Sequence, residues 1–180
     1  EVLLSGCSAG GMSTYLHADS MQAQLANPSL QKYKAAALSG FFLDHRTASG
    51  AVKDHDEYAY MFAMQNMASG VNQRCVQANQ ANASLCSTPQ ANYAYVQAPI
   101  FVLNSMLDNY QMNAIFEVGC KSLADCNSTQ VGWMNQYQAD FRAAITTIAT
   151  FQKRGNGAFL YNCDQHCAEQ DSTAFNGITV

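Results

Sequence analysis

Charge is scarce in this sequence. Asp, Glu, Lys and Arg together make up 12% of the 180 residues, and the formal net charge is -4. No basic run or stripe is available to neutralise phosphates, so a nucleic-acid partner is not expected. No apolar run is long enough to span a bilayer. A signal-peptide pattern is lacking as well. The chain opens abruptly inside what reads as a core strand, so the expected whole is longer, with an N-terminal part preceding Glu1.

Apolar residues, by contrast, account for 48% of the chain, enough for the core of one domain of ordinary size. Gln, Asn, Ser and Thr supply the polarity that charge does not. Seven cysteines are many for a cytosolic protein and point to an oxidising compartment. Two glycosylation sequons, Asn82-Ala83-Ser84 and Asn127-Ser128-Thr129, agree with a secreted, extracellular chain, whereas Asn27-Pro28-Ser29 is excluded by its proline.

The most informative stretch comes first. The short apolar run Val2-Leu3-Leu4 leads through Ser5 into Gly6-Cys7-Ser8-Ala9-Gly10, and a helical pattern over residues 10–25 follows. Strand, G-x-S-x-G and helix together read as a nucleophile elbow. So sharp a turn forces the serine into a strained backbone, and glycines at 6 and 10 are expected to let strand and helix pass. The hydroxyl is then presented at a helix N-terminus, where N–H groups and the dipole favour negative charge. The competing reading of Ser8 is a structural turn serine. His17, more than two turns further on, reads as a surface or packing histidine.

Further along, residues 33–38 read as a short buried strand. The following Ser39-Gly40-Phe41-Phe42-Leu43-Asp44 would form a loop at its carboxyl end, where open α/β sheets place ligands. A helix is expected over residues 51–71. Its Asp54, His55, Asp56 and Glu57 are consecutive and cannot converge on a metal from one face, so they read as a solvated, acidic helix start. Residues 73–92 read as a polar loop or broken helix stapled by Cys75 and Cys86, with disorder as the alternative. Residues 99–104 form the clearest strand, its unbroken apolar run suggesting burial on both faces. Asp108 lies in the loop after it. A long helix is expected over residues 131–152, closed by Lys153, Arg154 and Gly155. A last strand, residues 158–162, leads into Cys163-Asp164-Gln165-His166-Cys167.

Ser8, Asp108 and His166 thus each follow an expected strand, in the order serine, acid, histidine of α/β-hydrolases. Parallel, neighbouring strands would bring all three loops to one edge of the sheet. There His166 would take the proton of Ser8, and Asp108 would orient the imidazole. The backbone N–H of Ala9 would serve as an oxyanion-hole donor. Competing readings are a zinc site at Cys163, His166 and Cys167, a loop-capping role for Asp108, and His45 or His55 as the base.

These residues resemble the pectin acetylesterase and Notum family of carboxylesterases. The resemblance is carried by Gly6-Cys7-Ser8-Ala9-Gly10-Gly11, by residues 39–44, by residues 99–111 ending in Asp, two residues and Gln, and by residues 163–167 with Phe159 and Asn162 before them. It runs through essentially the whole chain. It implies an α/β-hydrolase-like fold, a mostly parallel sheet flanked by helices, and a secreted serine esterase without cofactor or metal. It places Ser8, Asp108 and His166 at catalytic positions, Ala9 at an oxyanion donor and Phe42 in the substrate pocket. The family's Gly-Gly-Gly-Trp-Cys segment and the first strands would lie upstream of Glu1, so residues 1–180 are expected to be a single partial domain. Phe175 and Ile178 would begin the family's closing stretch.

If Cys7 is the unpaired cysteine, the six others allow 15 connectivities. Cys75 with Cys86 and Cys120 with Cys126 are the expected local pairs, and Cys163 and Cys167 pair with each other or upstream. The expected function is hydrolysis of acyl esters, with acetylated pectin or a related cell-wall polysaccharide as substrate and a monomeric full-length protein. The alternatives are a Notum-like removal of a fatty acyl group from a protein and a catalytically inactive extracellular binding protein of the same fold.

Overall fold

A computed structural model of the protein describes residues 1–167; Phe175 and Ile178 lie outside the described residues. The chain runs β1 (Val2–Cys7), α1 (Ala9–Leu25), β2 (Tyr33–Leu38), α2 (Asp54–Met64), α3 (Gln73–Ala78), α4 (Pro89–Tyr93), β3 (Ile100–Ser105), α5 (Ser128–Thr146) and β4 (Gly157–Tyr161). The strands form one sheet in the order β1-β2-β3-β4, and every neighbouring pair is parallel. Parallel neighbours need crossover connections, which the intervening helical segments provide. All four strands therefore point their carboxyl ends to the same edge.

Alternation along the strands sends Leu4, Ala35, Ala37, Ile100, Val102 and Leu160 to one face. There they meet Tyr15 and Ala18 of α1, and Met134, Tyr137, Phe141 and Ile145 of α5, spaced three and four apart along one stripe. Phe41 sits in the middle, edge-on to Tyr15, Tyr93 and Phe141. The small alanines of β2 leave room for this aromatic layer. The other face of the sheet is more open among the described residues, with Ala36, Leu38 and Leu103 only half-buried. Leu3, Phe101 and Phe159 are 65%, 44% and 58% exposed there. The expectation that the third strand is buried on both faces is thus corrected: Ile100, Val102 and Asn104 are buried on one face, while Phe101 is exposed and Leu103 half-buried on the other.

Helix limits differ from the sequence pattern for local reasons. α2 stops at Met64, and Asn66 turns left-handed before a single 3-10 turn. α5 begins three residues earlier than the apolar stripe because Asn127 and Gln130 form a capping box. It ends at Thr146, before Ile148 turns extended, so residues 149–152 form a separate turn. Residues 73–93 are ordered as three short helical pieces over the Cys75–Cys86 disulfide.

Cys120 pairs with Cys126 as expected. Cys7, however, is not the unpaired cysteine: it is bonded to Cys167, and Cys163 is the free, exposed one. The reason is topological. β4 and β1 are opposite edges of the sheet, about 14 Å apart at the usual strand spacing. Residues 162–167 return across the carboxyl edge and bring Cys167 to the end of β1, with a Cα–Cα separation of 5.8 Å.

Candidate active site

The site starts from the elbow. Ser8 has φ 59° and ψ -123°, outside the regions an L-residue prefers. It stands at the N-cap of α1 but makes no side-chain cap. Its backbone N–H is held by the carbonyl of Leu38, and its own carbonyl accepts the N–H of Met12. The strained backbone turns the hydroxyl out of the capping position and into the open. Gly6 is required here, since a Cβ on it would lie 2.6 Å from the carbonyl group of Gly10. Gly10 is not, because a Cβ there would meet nothing. The second close approach is instead between Gly11 and Gly40, whose backbones touch where α1 passes the loop after β2.

Asp108 follows β3. Its side chain is fully buried, and its Oδ1 accepts the N–H of Gln111 at 3.1 Å. Burial pushes its carboxyl above the usual carboxylate value, while hydrogen bonds from His166 and Gln111 pull in the other direction. His166 comes from the loop after β4. Its Nδ1 is 2.7 Å from Asp108 Oδ2, and its Nε2 is 2.8 Å from Ser8 Oγ. An ionised carboxylate only accepts hydrogen bonds. Nδ1–H therefore donates to Asp108, and Nε2 is left to accept the Ser8 hydroxyl. One continuous chain of hydrogen bonds joins a buried acid, a partly exposed imidazole and a hydroxyl on the open side. Such an arrangement can move a proton off the serine without leaving a charge unsupported.

Ser8 and Ala9 open into a cleft of about 540 Å³, lined further by Met12, Phe42, Lys53, Tyr58, Met61 and Tyr110. Ala9 is the first residue of α1, so its N–H belongs to the turn whose donors have no helical partner. Phe42 is buried and lies 6.5 Å from the His166 ring; Tyr110 is half exposed and lies 5.4 Å from it. The two aromatic rings are 5.8 Å apart and frame the imidazole.

His45 and His55 lie elsewhere, against Asp140 and Asp44 respectively. Cys163, His166 and Cys167 do not form a ligand set, since Cys167 is in a disulfide and both His166 nitrogens are engaged. Among the described residues no cluster of three His, Cys, Asp or Glu side chains could hold a metal. The sequon residues Asn82 and Asn127 are both exposed.

Several supporting residues carry no sequence signal as strong as the elbow. Gln111 is buried, and its Oε1 accepts the Leu43 N–H and the Tyr137 hydroxyl, tying the loop after Asp108 to α5. Asn104 Oδ1 accepts the Phe41 N–H at 3.0 Å. Ser39, also buried, accepts the Cys167 N–H at 3.1 Å. Gln111 closes the Asp, two residues and Gln pattern and Ser39 opens the 39–44 stretch of the family resemblance, but the sequence assigns no role to them or to Asn104, beyond that of polar residues that interrupt apolar runs at strand ends. Tyr110 offers only its position two residues after Asp108.

The sequence profile of the pectinacetylesterase family matches residues 1–179. The chain belongs to this family. Among curated relatives, pectin acetylesterase 11 of Arabidopsis thaliana is 26% identical over 98% of this chain and 46% of its own length. Pectin acetylesterase 7 of the same plant is 24% identical over the same shares. The chain thus spans about half the length of the curated relatives it matches. Among solved structures, two crystal forms of the Wnt deacylase Notum from Drosophila superpose with TM-scores of 0.76 and 0.74, at 20% and 21% identity. They cover 91% of this chain and 44% and 45% of theirs. That likeness shows the fold, an α/β-hydrolase architecture. The family to which the chain belongs is one of carboxylic ester hydrolases.

Proposed function

We propose that Ser8, His166 and Asp108 are the catalytic triad of a secreted serine carboxylesterase, and that its substrates are acetyl esters of pectin or a related cell-wall polysaccharide. The observation that carries this reading is the unbroken hydrogen-bonded path from Asp108 through His166 to Ser8 at the mouth of the cleft. In the acylation step, His166 Nε2 takes the proton of Ser8 as Oγ bonds to the acyl carbon. The oxyanion forms beside the Ala9 N–H at the start of α1. Loss of one such donor typically costs about 3 kcal/mol of transition-state stabilisation. His166 then gives its proton to the departing alcohol, and the acyl group stays on Ser8. Water, deprotonated by the same nitrogen, releases the acid and restores the serine. Asp108 holds the imidazole in the needed tautomer throughout and supports its positive charge.

The names of the curated relatives favour acetylated pectin as the substrate class. Three disulfides and two exposed sequon asparagines favour an extracellular setting with glycans on Asn82 and Asn127. Among the described residues no helix is long and apolar enough to cross a membrane. The chain is proposed to act as part of a larger catalytic domain. Likeness to a Wnt deacylase favours a second substrate, a fatty acyl group on a protein. A panel of acetyl, butyryl and octanoyl p-nitrophenyl esters on the full-length protein separates the two. Preference for acetyl supports the first reading, preference for octanoyl the second. Loss of all hydrolysis in Ser8→Ala is expected in either case, and hydrolysis retained by that variant refutes both.

A further inference from the structure

Cys7 immediately precedes Ser8, and Cys167 immediately follows His166. The bridge between them therefore links nucleophile and base through one residue on each side. Among the described residues, the bridge is the one covalent tie on the loop that carries His166. β4 ends at Tyr161, and the following residues must cross from one edge of the sheet to the other. Cys163 is anchored through its carbonyl by the Ser105 hydroxyl. Beyond it, Cys167 adopts φ 59°, and its N–H is held by Ser39 Oγ. Ser39 is itself a rigid anchor: it is buried, has φ 43°, and donates its N–H to the Leu103 carbonyl at 2.8 Å. Bridge and hydrogen bond act on the same residue from β1 and from the loop after β2.

Resting on the esterase reading above, we infer that the Cys7–Cys167 disulfide, seated on Ser39, is the positioning device of the base, and that ester hydrolysis requires it to be oxidised. With the bridge open, His166 sits on a loop spanning the sheet edge with no covalent tie to β1, and its place against Ser8 depends on its hydrogen bonds to Asp108 and Ser8 and on that of Cys167 to Ser39. Opening needs a reductant. A dithiol supplies two electrons and two protons, the S–S bond breaks to give two cysteine thiols, and the dithiol closes to its own cyclic disulfide.

The test uses the full-length oxidised protein and p-nitrophenyl acetate. Cys7→Ser with Cys167→Ser is expected to lower kcat about 100-fold, the scale of a ~1 Å misplacement, with KM little changed. Both cysteines are replaced so that Cys167 cannot re-pair with exposed Cys163. The remote pair Cys75→Ser with Cys86→Ser is expected to keep the wild-type kcat. Ser39→Ala, with the bridge intact, is expected to lower kcat less than the double variant does. If the double variant does not fold, the native protein is titrated with dithiothreitol while activity, circular dichroism and mapped disulfides are followed. Activity is then expected to vanish as Cys7–Cys167 opens, with the dichroism unchanged, and to return on reoxidation. Wild-type kcat with the bridge absent, a change confined to KM, or activity lost only together with the dichroism each overturns the inference. Absence of ester hydrolysis in the oxidised wild type overturns the esterase reading instead.

Discussion

An alanine at position 6 puts a Cβ 2.6 Å from the carbonyl carbon and oxygen of Gly10, where ordinary contact begins at 3.4 Å. The obstruction is backbone, so no side chain can swing aside. Strand and helix must separate by about 0.8 Å at the turn, an overpacking that typically costs about 1–3 kcal/mol. Ser8 sits between the two contacting residues and takes up the movement. Its 2.8 Å hydrogen bond to His166 would stretch beyond hydrogen-bonding reach. Misplacement on that scale costs about 100-fold in rate. Gly10, in the same motif, meets nothing at its Cβ. Gly10→Ala is therefore expected to leave stability unchanged or to raise it by up to about 1 kcal/mol through helix propensity. The assay is kcat for p-nitrophenyl acetate together with urea unfolding of both full-length variants. Wild-type kcat in Gly6→Ala, or equal damage from Gly10→Ala, would refute the close-approach argument.

Other expectations follow from single contacts. Asp108→Asn is expected to lower kcat about 10⁴-fold, since an amide no longer enforces the Nδ1–H tautomer. The same change should raise the melting temperature at pH 7. Because burial holds the folded-state pKa of Asp108 above its unfolded value, its stabilising contribution is present at low pH and is lost as pH rises through the folded value. The gain of the Asn variant should therefore disappear below about pH 4, and a gain that persists there would contradict the assignment of burial as the dominant cause. Tyr110→Ala removes a ring 5.4 Å from His166 and should improve kcat/KM for octanoyl relative to acetyl esters about tenfold; an unchanged ratio places Tyr110 outside the acyl path. Asn127→Ala breaks the capping box of α5 and should cost about 1 kcal/mol in urea unfolding of glycan-free protein, with kcat unaffected.

The elements nearest the site are the most legible in the sequence. β1, β2 and β3 are marked by apolar runs of strand length, and each ends in residues with recognisable chemistry. Parallel order is implied by the need for Ser8, Asp108 and His166 to share an edge. What the sequence does not convey depends on distant packing. Bare exposure of Leu3, Phe101 and Phe159 is a property of what covers the sheet, not of the strands themselves. The Cys7–Cys167 pair spans 160 residues and joins the end of β1 to the loop after β4, so no local spacing announces it. The G-x-S-x-G motif suggests a close approach at Gly10 that belongs instead to Gly11 and Gly40, because the motif fixes spacing but not which backbone passes overhead. α5 departs from its apolar stripe at both ends, since its start is set by the Asn127 cap and its end by the extended turn at Ile148. Gln111, Ser39 and Asn104 lie within the stretches that carry the family resemblance, yet their task of accepting loop N–H groups appears only when the fold buries them.

The central claim is that Ser8 is the nucleophile of this site. Full-length protein treated with a fluorophosphonate and digested for mass spectrometry tests it directly. The expected result is a single phosphonylated peptide carrying the adduct on Ser8, absent from Ser8→Ala and strongly reduced in His166→Ala. An adduct on another residue, or undiminished labelling of Ser8→Ala, would contradict it.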